Sequence, residues 1–442
     1  MKKVTALLLT VGMVFSLVGC NSDKKEDPAP TTAPAATEAP KATEEPKATE
    51  PVAAEPVDIT MWCIAVESDS NRKAYEDAVA DLKAAHPEVN FTWDATQNQD
   101  YKPKLKAAAA ADELPDIFFT WGMGFLKEFV DAGRIYCLQD EYEANYKGQM
   151  AESMLGNHSF DGKLYAVPYY FNIVGLFANM DLLAQVGYDH IPTTYEELTA
   201  CCDALLAKGI SPFGCSGKEQ WAVSEYFEPM VVKSVGAQTL KDFYTKTTPW
   251  ANDKFYSAVD KLQEMVSKGY FDPASAALTN DEVKANFMAD KYAFYQNGTW
   301  NIADFALNGV TAKMQVGQFP ELTPGENAVI GGSNDALAVS ASCENPEVAA
   351  KLCFELAKNL SRRGDEGGNG IPVFTPDYVV EGKDPLALAV SDIVANASGS
   401  VLFGDNFLSA ENQGIYLDYV MQAYGNVINS KDCAAGLDAD LQ

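Results

Sequence analysis

The chain has 442 residues and a formal net charge of −29 at pH 7, with 62 Asp and Glu against 33 Lys and Arg. Nucleic acids and other polyanions need a basic face, so this charge argues against them and is compatible with neutral or cationic solutes. The part beyond residue 56 exceeds the roughly 250–300 residues that one hydrophobic core usually serves, so two lobes are expected.

Residues 1–20 have the pattern of a targeting segment. Lys2 and Lys3 precede an apolar run at residues 4–18, which is shorter than the about 20 residues of a membrane-spanning helix and typical of a signal-peptide core. The run ends Leu17-Val18-Gly19-Cys20, which resembles the lipobox of bacterial lipoproteins. That resemblance implies that Cys20 carries lipid, palmitate included, and anchors the protein at the extracytoplasmic face of the cell membrane. An ordinary cleaved signal is the alternative.

Residues 21–56 are rich in Ala, Pro, Thr, Glu and Lys and contain no Leu, Ile, Phe, Tyr or Trp. A segment of this composition cannot bury enough apolar surface to offset its chain entropy, so we expect it to be disordered. Prolines keep such a chain extended, at about 3.1 Å per residue where it is polyproline-like. The segment is expected to be a tether that holds the globular body away from the membrane.

The first globular residues alternate between strands and helices. Strands are predicted at 57–65, 89–95 and 116–121, and helices at 70–86, 101–111 and 123–132. In the first helix Tyr75, Ala78, Val79 and Leu82 recur on one face, as in an amphipathic helix. This alternation predicts an open, mostly parallel α/β sheet. Ligands of such sheets bind beyond the carboxyl ends of the strands.

Residues 161–179 contain three consecutive aromatic rings, at Tyr169, Tyr170 and Phe171. Pro168 precedes them and cannot donate a ladder hydrogen bond, so it is expected at an edge or where a strand leaves one sheet for another. Successive side chains of a strand point to opposite faces. At least one of the three rings is therefore expected to face a cleft.

Beyond residue 180 the pattern is again that of an α/β lobe. A helix is predicted to begin at Thr194, whose spacing to Glu197 fits a capping box. Pro229 is expected to kink or split a helix at 222–236. Residues 291–300 predict a strand that runs into a tight turn at Asn297-Gly298. Further helices are predicted at 252–268, 280–289 and 346–360 and within 411–441, and further strands at 314–319 and 328–339.

The cysteines and histidines form no metal-binding pattern. No Cys-x-x-Cys is present, and His86, His158 and His190 are far apart, so neither a metal site nor a cofactor is expected. Most of the thiols are expected to be small core residues, although a disulfide stays open. The eight cysteines beyond Cys20 are Cys63, Cys137, Cys201, Cys202, Cys215, Cys343, Cys353 and Cys433.

Several of these segments resemble the extracellular sugar-binding proteins of bacterial ABC importers, solute-binding family 1, to which the maltose-binding type belongs. Gly162, Tyr165 and Pro168 match a G-x-x-Y-x-x-P strand that leaves the first lobe, and residues 177–182 are similar to the segment that opens the second. Residues 192–198 resemble a helix start of the type P-T-T-W-D-E-L. The resemblance covers nearly all of residues 57–442 as ordered blocks.

The resemblance implies a two-lobed periplasmic-binding-protein fold, type II-like, in the α/β class. Each lobe would be an open, mostly parallel sheet flanked by helices, with hinge crossings between the lobes. Residues 57–167 with about 335–370 would form the first lobe, and residues 168–334 with about 371–442 the second. It further implies a monomer that captures a carbohydrate by hinged lobe closure and delivers it to ABC permease subunits.

A sugar site needs flat rings that stack on the apolar faces of pyranoses and polar groups that hydrogen-bond the hydroxyls. Trp121 and Trp300 end predicted strands where such a site is expected, and the resemblance implies a polar sugar ligand at Asn172. Packing beneath a loop is the alternative for each Trp, and a solvated charge is the alternative for each acid. The candidate ligand-binding residues are Glu67, Ser68, Asp69, Trp121, Gly122, Tyr169, Tyr170, Asn172, Trp221, Trp300, Ser333, Asn334, Asp335 and Tyr416.

Two other functions stay open at this stage. A non-sugar solute such as a polyamine would suit the many acidic residues. A secreted glycan-active hydrolase needs only two carboxylates about 5–10 Å apart. The chain contains no G-x-S-x-G, no G-x-x-x-x-G-K-[ST] and no dinucleotide-binding G-x-G-x-x-G after a strand, motifs that mark common enzyme classes. We therefore expect a binding protein rather than an enzyme.

Overall fold

A computed structural model describes residues 56–442. The targeting segment at residues 1–20 with Cys20, and the tether up to residue 55, lie outside the described residues. Within residues 56–442 no helix is both long enough and apolar enough to cross a membrane.

The strands belong to two large sheets and one short hairpin. They are β1 Val57–Cys63, β2 Val89–Ala95, β3 Ile117–Trp121, β4 Ser159–Phe160, β5 Lys163–Leu164, β6 Ala166–Pro168, β7 Tyr170–Asn179, β8 Ser211–Phe213, β9 Tyr292–Gly298, β10 Met314–Gly317, β11 Val329–Ser333, β12 Asp335–Val339, β13 Ile371–Pro372 and β14 Ser400–Val401.

The α-helices cover both sheets. They are α1 Arg72–Ala85, α2 Asn98–Ala111, α3 Met123–Asp131, α4 Gln139–Glu141, α5 Met180–Ala184, α6 Tyr195–Ala207, α7 Gln220–Val235, α8 Ala237–Tyr244, α9 Asp253–Ser267, α10 Asn280–Met288, α11 Ile302–Leu307, α12 Pro346–Gly367, α13 Pro385–Asn396, α14 Gly404–Phe407, α15 Ala410–Tyr424 and α16 Ser430–Asp440.

The first sheet has the strand order β2-β1-β3-β12-β6. β1 pairs in parallel with β2 and β3, as the β-α alternation predicts. β12 is antiparallel to both β3 and β6. Helix α1 packs its predicted apolar face, including Tyr75 and Leu82, onto this sheet, and α12 lies beside α1. The α/β class is confirmed.

The second sheet has the order β14-β11-β7-β9-β8, with β10 and β13 also paired to β7. The ten-residue strand β7 is antiparallel to β9, β10, β11 and β13. This sheet is therefore mixed rather than mostly parallel. The prediction of a mostly parallel sheet assumed that every strand follows its neighbour through a helical crossover. Here the strands that pair with β7 return beside it in the opposite direction.

The chain passes between the sheets at neighbouring points. Tyr169 separates β6 from β7, and Asn334 separates β11 from β12. The Tyr169 amide donates to the Asp335 carbonyl across 3.2 Å, which ties the two crossings together. A further connection follows α12, where Ile371 pairs with Phe171 of β7 while Val373 packs in the first core.

Two local predictions need correction. Of the predicted kink or split at Pro229, the split does not occur: helix α7 continues through Pro229 and is almost wholly buried, so packing outweighs the proline's cost. At the start of α6, the Thr194 hydroxyl accepts a hydrogen bond from the Glu197 amide at 3.1 Å. A reciprocal capping box would also need the Glu197 carboxylate to accept from the Thr194 amide. It accepts from the Thr193 amide instead, so the predicted box is only half formed.

Candidate functional site

A cavity of about 150 Å³ lies between the two sheets. One side comes from the loop after β1, the start of α2 and the end of β3. The other side comes from the starts of α7 and α10, the turn after β9 and the segment around α14. The crossing residues Asn334 and Asp335 close its base. One water needs at least about 10–15 Å³ of such space, so the cavity has room for several waters or a small polar solute.

Three indole rings line the cavity from opposite lobes. Trp121 ends β3 and is only 6% exposed, because it packs edge-on against Phe119 and Phe125. Trp221 and Trp300, in the second lobe, have ring centroids 6.5 Å apart. Both are half-buried and present part of their surface to the cavity. The open indole surface of the cavity therefore belongs to Trp221 and Trp300, whereas the Trp121 ring is largely covered.

The end of β9 is built around the Trp300 ring. A Cβ atom at Gly298 would lie 2.1 Å from that ring, so only glycine lets the strand pass beneath it. After Gly298 the chain turns through a 3-10 segment, Thr299–Asn301. Asn301 donates back to the Asn297 side chain at 2.8 Å. The predicted turn is thus a strand exit that aims Trp300 at the cavity.

Two acids at the base of the cavity have raised pKa values. Burial raises the pKa of Asp335 to about 7, and the charge of Asp69 adds to the effect. Burial likewise raises the pKa of Asp69 to about 6. The backbone amide of Asn71 donates to its carboxylate at 2.8 Å and lowers the pKa, but by less than burial raises it. Near neutral pH these side chains can both donate and accept hydrogen bonds to a ligand.

Glu219 organises the wall of the second lobe. Its carboxylate accepts from the Trp221 indole at 3.0 Å and from the Asn280 amide at 3.1 Å. It also accepts from the Gln99 side chain of the first lobe at 3.3 Å. One carboxylate therefore orients a stacking ring, caps α10 and reaches across the cleft.

The two lysines of the cavity lining are paired with acids. Lys102 of α2 lies 3.2 Å from Asp405 of α14, so this ion pair joins the two lobes. The same ammonium lies 4.7 Å above the Trp121 ring. Lys284 lies 2.5 Å from Asp304 and 3.3 Å from Asp281. Neither cation is free to serve an anionic ligand, which agrees with the acidic net charge.

Seven of the candidate residues line the cavity. They are Ser68, Asp69, Trp121, Trp221, Trp300, Asn334 and Asp335. They share a position at a strand end, at a crossing or in the first turn of a helix. No ligand contact follows from position alone, so their role in binding stays a prediction.

The other predicted residues lie outside the lining because the protein itself uses them. Tyr169 is buried, and its hydroxyl pairs with that of Tyr75 at 2.8 Å. Tyr170 is 1% exposed and packs in the first core. The Asn172 oxygen accepts from the Thr299 hydroxyl at 2.9 Å. Tyr169 and Tyr170 are thus covered by the first core, whereas Phe171 is half-buried and does not line the cavity.

Four further candidates also point away from the cavity. Glu67 is exposed, and Gly122 is buried against Asn157 and His158. Ser333 donates to the carbonyl of Met154. Tyr416 is fully buried and donates to Glu228 at 2.9 Å.

Sequence reasoning missed the polar residues that come from helix starts. These are Gln97, Asn98, Gln99, Lys102, Glu219, Ser224, Glu225, Asn280, Asp281, Lys284, Asn301, Asp405 and Asn406. One signal was available, because Thr279 and Glu282 form a reciprocal capping box that marks the start of α10. These residues come from distant parts of the chain, so their spacing in the sequence did not predict that they would line one cavity.

The described residues contain no arrangement typical of a metal centre. Within 56–442, no group of three or more His, Cys, Asp and Glu side chains is placed to hold a metal ion. The eight cysteines of this part are unpaired thiols. The site thus offers rings, amides and carboxyls.

A two-lobed α/β body with a polar, ring-lined cavity between its sheets defines the class of bacterial solute-binding proteins. The family model described as bacterial extracellular solute-binding protein matches residues 67–353. The chain belongs to this family, which consists of transport receptors and not of enzymes.

Individual relatives and solved structures agree with this assignment. The chain is 21% identical over 319 residues to the multiple sugar-binding protein of Streptococcus mutans, which covers 69% of this chain and 74% of the relative. It is 23% identical to the melibiose/raffinose/stachyose-binding protein MelE of Bacillus subtilis, over 62% of this chain and 64% of the relative. A solved structure from work on xylan utilization by Caldanaerobius polysaccharolyticus has a TM-score of 0.83 and 29% identity, covering 87% of this chain and all of that one.

Proposed function

We propose that this chain captures a sugar or short oligosaccharide in the cleft and presents it to the permease of an ABC importer. The observation that carries the proposal is the set of indole rings on opposite walls of one polar cavity. Trp121, Trp221 and Trp300 would stack on the apolar faces of pyranose rings. The family membership and the sugars in the names of the relatives support the same ligand class.

Capture proceeds by hinged closure of two lobes. The proposed lobes are residues 57–167 with about 335–370, and residues 168–334 with about 371–442. In the closed form Ser68, Asp69, Asn334 and Asp335 hydrogen-bond the sugar hydroxyls. A ligand that contacts both walls favours the closed form by its differential affinity for the two states. The protein acts as a monomer.

The test is a thermal-shift panel of neutral mono- and oligosaccharides, amino acids and polyamines. A true ligand stabilises the folded chain by mass action, about 2.7 kcal/mol at one hundred times its dissociation constant. We expect at least one saccharide of one to two rings to raise the melting temperature, and X-ray scattering to show a smaller radius of gyration with it. Stabilisation by a non-sugar alone would contradict the proposal.

We also propose that Cys20 is lipidated and that residues 21–56 tether the body to the extracytoplasmic face of the cell membrane. The lipobox-like sequence ending at Cys20 supports this. In an expressing bacterium, Cys20→Ser should move the protein from the membrane fraction to the soluble fraction. Membrane retention of that variant would contradict a lipid anchor.

A further inference from the structure

Glu225 lies in the second turn of α7 and borders the cavity, yet it is only 1% exposed. Among residues 56–442, neither oxygen of its carboxyl group has a hydrogen-bond partner. A buried polar group without a partner costs free energy, and a buried charge costs more. Folded proteins keep few such groups, so each one calls for an explanation.

The acids around Glu225 each have partners of their own. Glu228 accepts from the Gly404 amide at 3.0 Å and from the Tyr416 hydroxyl. Asp405 pairs with Lys102, and Glu219 accepts three hydrogen bonds. Burial, together with the charges of Glu228, Asp405 and Glu219, raises the pKa of Glu225 well above its usual value. Glu228 keeps one oxygen, Oε2, without a partner, whereas Glu225 is the member of this group in which both oxygens lack one among the described residues.

The charge of the cavity is one-sided. Among the described residues, six acids and two lysines line it. Both lysines are held by acids other than Glu225, at Asp405 and at Asp304. Side-chain oxygens of Asn71, Asn98 and Asn406 also border the cavity without a donor. A matching ligand must therefore bring hydrogen-bond donors and positive charge.

The position of Glu225 next to a stacking ring narrows the ligand further. Trp221 and Glu225 are four residues apart on α7 and both line the cavity, so they share one face of the helix. A linear polyamine supplies charge and can place an ammonium group over the indole, but it has no sugar ring whose flat face could stack there. A neutral sugar has the flat face but brings no cation that would ionise and pair with the carboxyl group of Glu225.

We propose that the cleft selects an amino saccharide, whose ring stacks on Trp221 and whose protonated amine pairs with Glu225. This inference rests on the proposed function, since it specifies which saccharide the site prefers. The ammonium group supplies three donors and one positive charge to the unpaired carboxylate. Charge-assisted hydrogen bonds of this kind are about twice as strong as neutral ones.

The experiment compares saccharides that differ at one substituent. Glucosamine, galactosamine, mannosamine and the β-1,4-linked glucosamine disaccharide are each matched with the parent hydroxyl compound and with the N-acetyl compound. Calorimetry on the full chain at pH 7 gives the affinities, and spermidine serves as the cation without a ring. We expect at least one amine to bind about tenfold or more tighter than its hydroxyl and N-acetyl counterparts.

The variant Glu225→Gln keeps the shape of the side chain and removes its charge. We expect it to abolish the preference for the amine, so that the amine and its hydroxyl counterpart bind with similar affinity. Glu381→Gln, at an exposed position, is the matched control and should keep the preference. A second measurement needs no variant: an amine that ionises a protonated Glu225 releases about one proton per ligand, seen as a buffer-dependent heat.

The outcomes separate the two proposals. Neutral saccharides that bind as tightly as their amines, or a preference that survives in Glu225→Gln without proton release, would overturn this inference and leave the proposed function standing. If no saccharide binds at all, both proposals fail. Binding of spermidine alone would instead identify a receptor for linear polyamines.

Discussion

Aromatic side chains do different things in two regions of the molecule. At the crossing, Tyr169 and Tyr170 pack inside the protein, whereas in the cleft indole rings line a cavity. In the crossing, the rings are covered on every side, and Tyr169 finds its hydroxyl partner in Tyr75. In the cleft, Trp221 and Trp300 keep part of their surface open beside an unpaired Glu225.

The difference follows from where each ring stands in its strand or helix. Tyr170 begins β7, and its ring packs in the first core against Gly364 of α12, so protein covers it. Trp121 ends its strand, and Trp300 follows the end of another. Side chains beyond the carboxyl ends of strands face the crevice where ligands bind. Position along the element therefore predicts which rings border the cavity better than aromatic density does.

The two regions also differ in how well their polar groups are satisfied. The crossing hydrogen-bonds Tyr169 and Asn172 within the protein and, among the described residues, leaves only the neutral Tyr170 hydroxyl of its polar groups without a partner. The cleft leaves Glu225 without a partner and holds Asp69 and Asp335 close together with raised pKa values. Binding sites commonly give up stability in this way for function. Substitutions in the crossing should then change stability, whereas substitutions in the cleft should change affinity.

The largest effect is expected for Tyr170→Ala. Truncating a fully buried aromatic ring costs about 3–5 kcal/mol through lost burial and the cavity left behind. Tyr170 is 1% exposed and packs against Gly364, where a Cβ atom would lie 2.0 Å from its ring. Chemical denaturation should show this loss in the free energy of unfolding.

Tyr170→Phe is the matched control for that substitution. The Tyr170 hydroxyl has no partner among the described residues, so its removal should change stability by less than about 1 kcal/mol. If Tyr170→Ala instead left stability intact and abolished ligand binding, the crossing would belong to the site, and the comparison between the two regions would be wrong.

A smaller effect, of a different kind, is expected for Trp300→Ala. Loss of a stacking ring at the centre of a binding site typically costs about 2 kcal/mol, or about thirtyfold in affinity. Trp300 is only half-buried, so the melting temperature should fall much less than for Tyr170→Ala. Calorimetry with the saccharide identified by the panel, and thermal melting, measure the two quantities.

The control for Trp300 is Trp250→Phe. Trp250 is 1% exposed in the second core and does not line the cavity. Its substitution should lower stability and leave the affinity of the folded protein unchanged. An unchanged affinity in Trp300→Ala would remove the indole walls from the binding site.

The sequence allowed the elements of the fold to be predicted more fully than the site. The apolar face of α1 and the strand ends at Trp121 and Trp300 were readable, because hydrophobic period and strand boundaries are local signals. The crossing was misjudged for a physical reason. Alternation along a strand tells which rings share a face, but only the sheet's neighbours decide whether that face is covered.

Glu225 illustrates what could not be predicted. In a chain with 62 acidic residues, one more carboxylate reads as a solvated charge. Trp221 is its neighbour on α7, but Asp405 and the first-lobe residues that complete the cavity lie far from both in sequence. Such a site is made by tertiary structure, so the residues carry no mark of it in their spacing.

A pH-dependent effect on stability is expected for Asp335→Asn at the base of the cleft. In the unfolded chain an Asp ionises near pH 3.9, whereas burial raises the folded pKa of Asp335 to about 7. Between these values the folded state holds a proton that the unfolded state has lost, so stability of the unchanged chain falls as pH rises from about 4 to 7. Asparagine has no proton to lose, so the variant should be the more stable one above pH 7, and the difference between the two pKa values sets an upper limit of about 4 kcal/mol on that gain.

Thermal melting of Asp335→Asn and the unchanged chain at pH 5 and pH 8, without ligand, tests the sign. The variant's advantage should grow toward pH 8 by a few degrees, and the control Asp392→Asn, at an exposed position, should show no such trend. Because the charge of Asp69 contributes to the raised pKa, the advantage should shrink when Asp69 is also neutralised. A variant that is less stable at pH 8 than at pH 5, relative to the unchanged chain, would mean that the Asp335 carboxylate is stabilised in the fold. The acids of the cleft would then not lower the stability of the fold. The cleft and the crossing would differ only in whether their rings are covered.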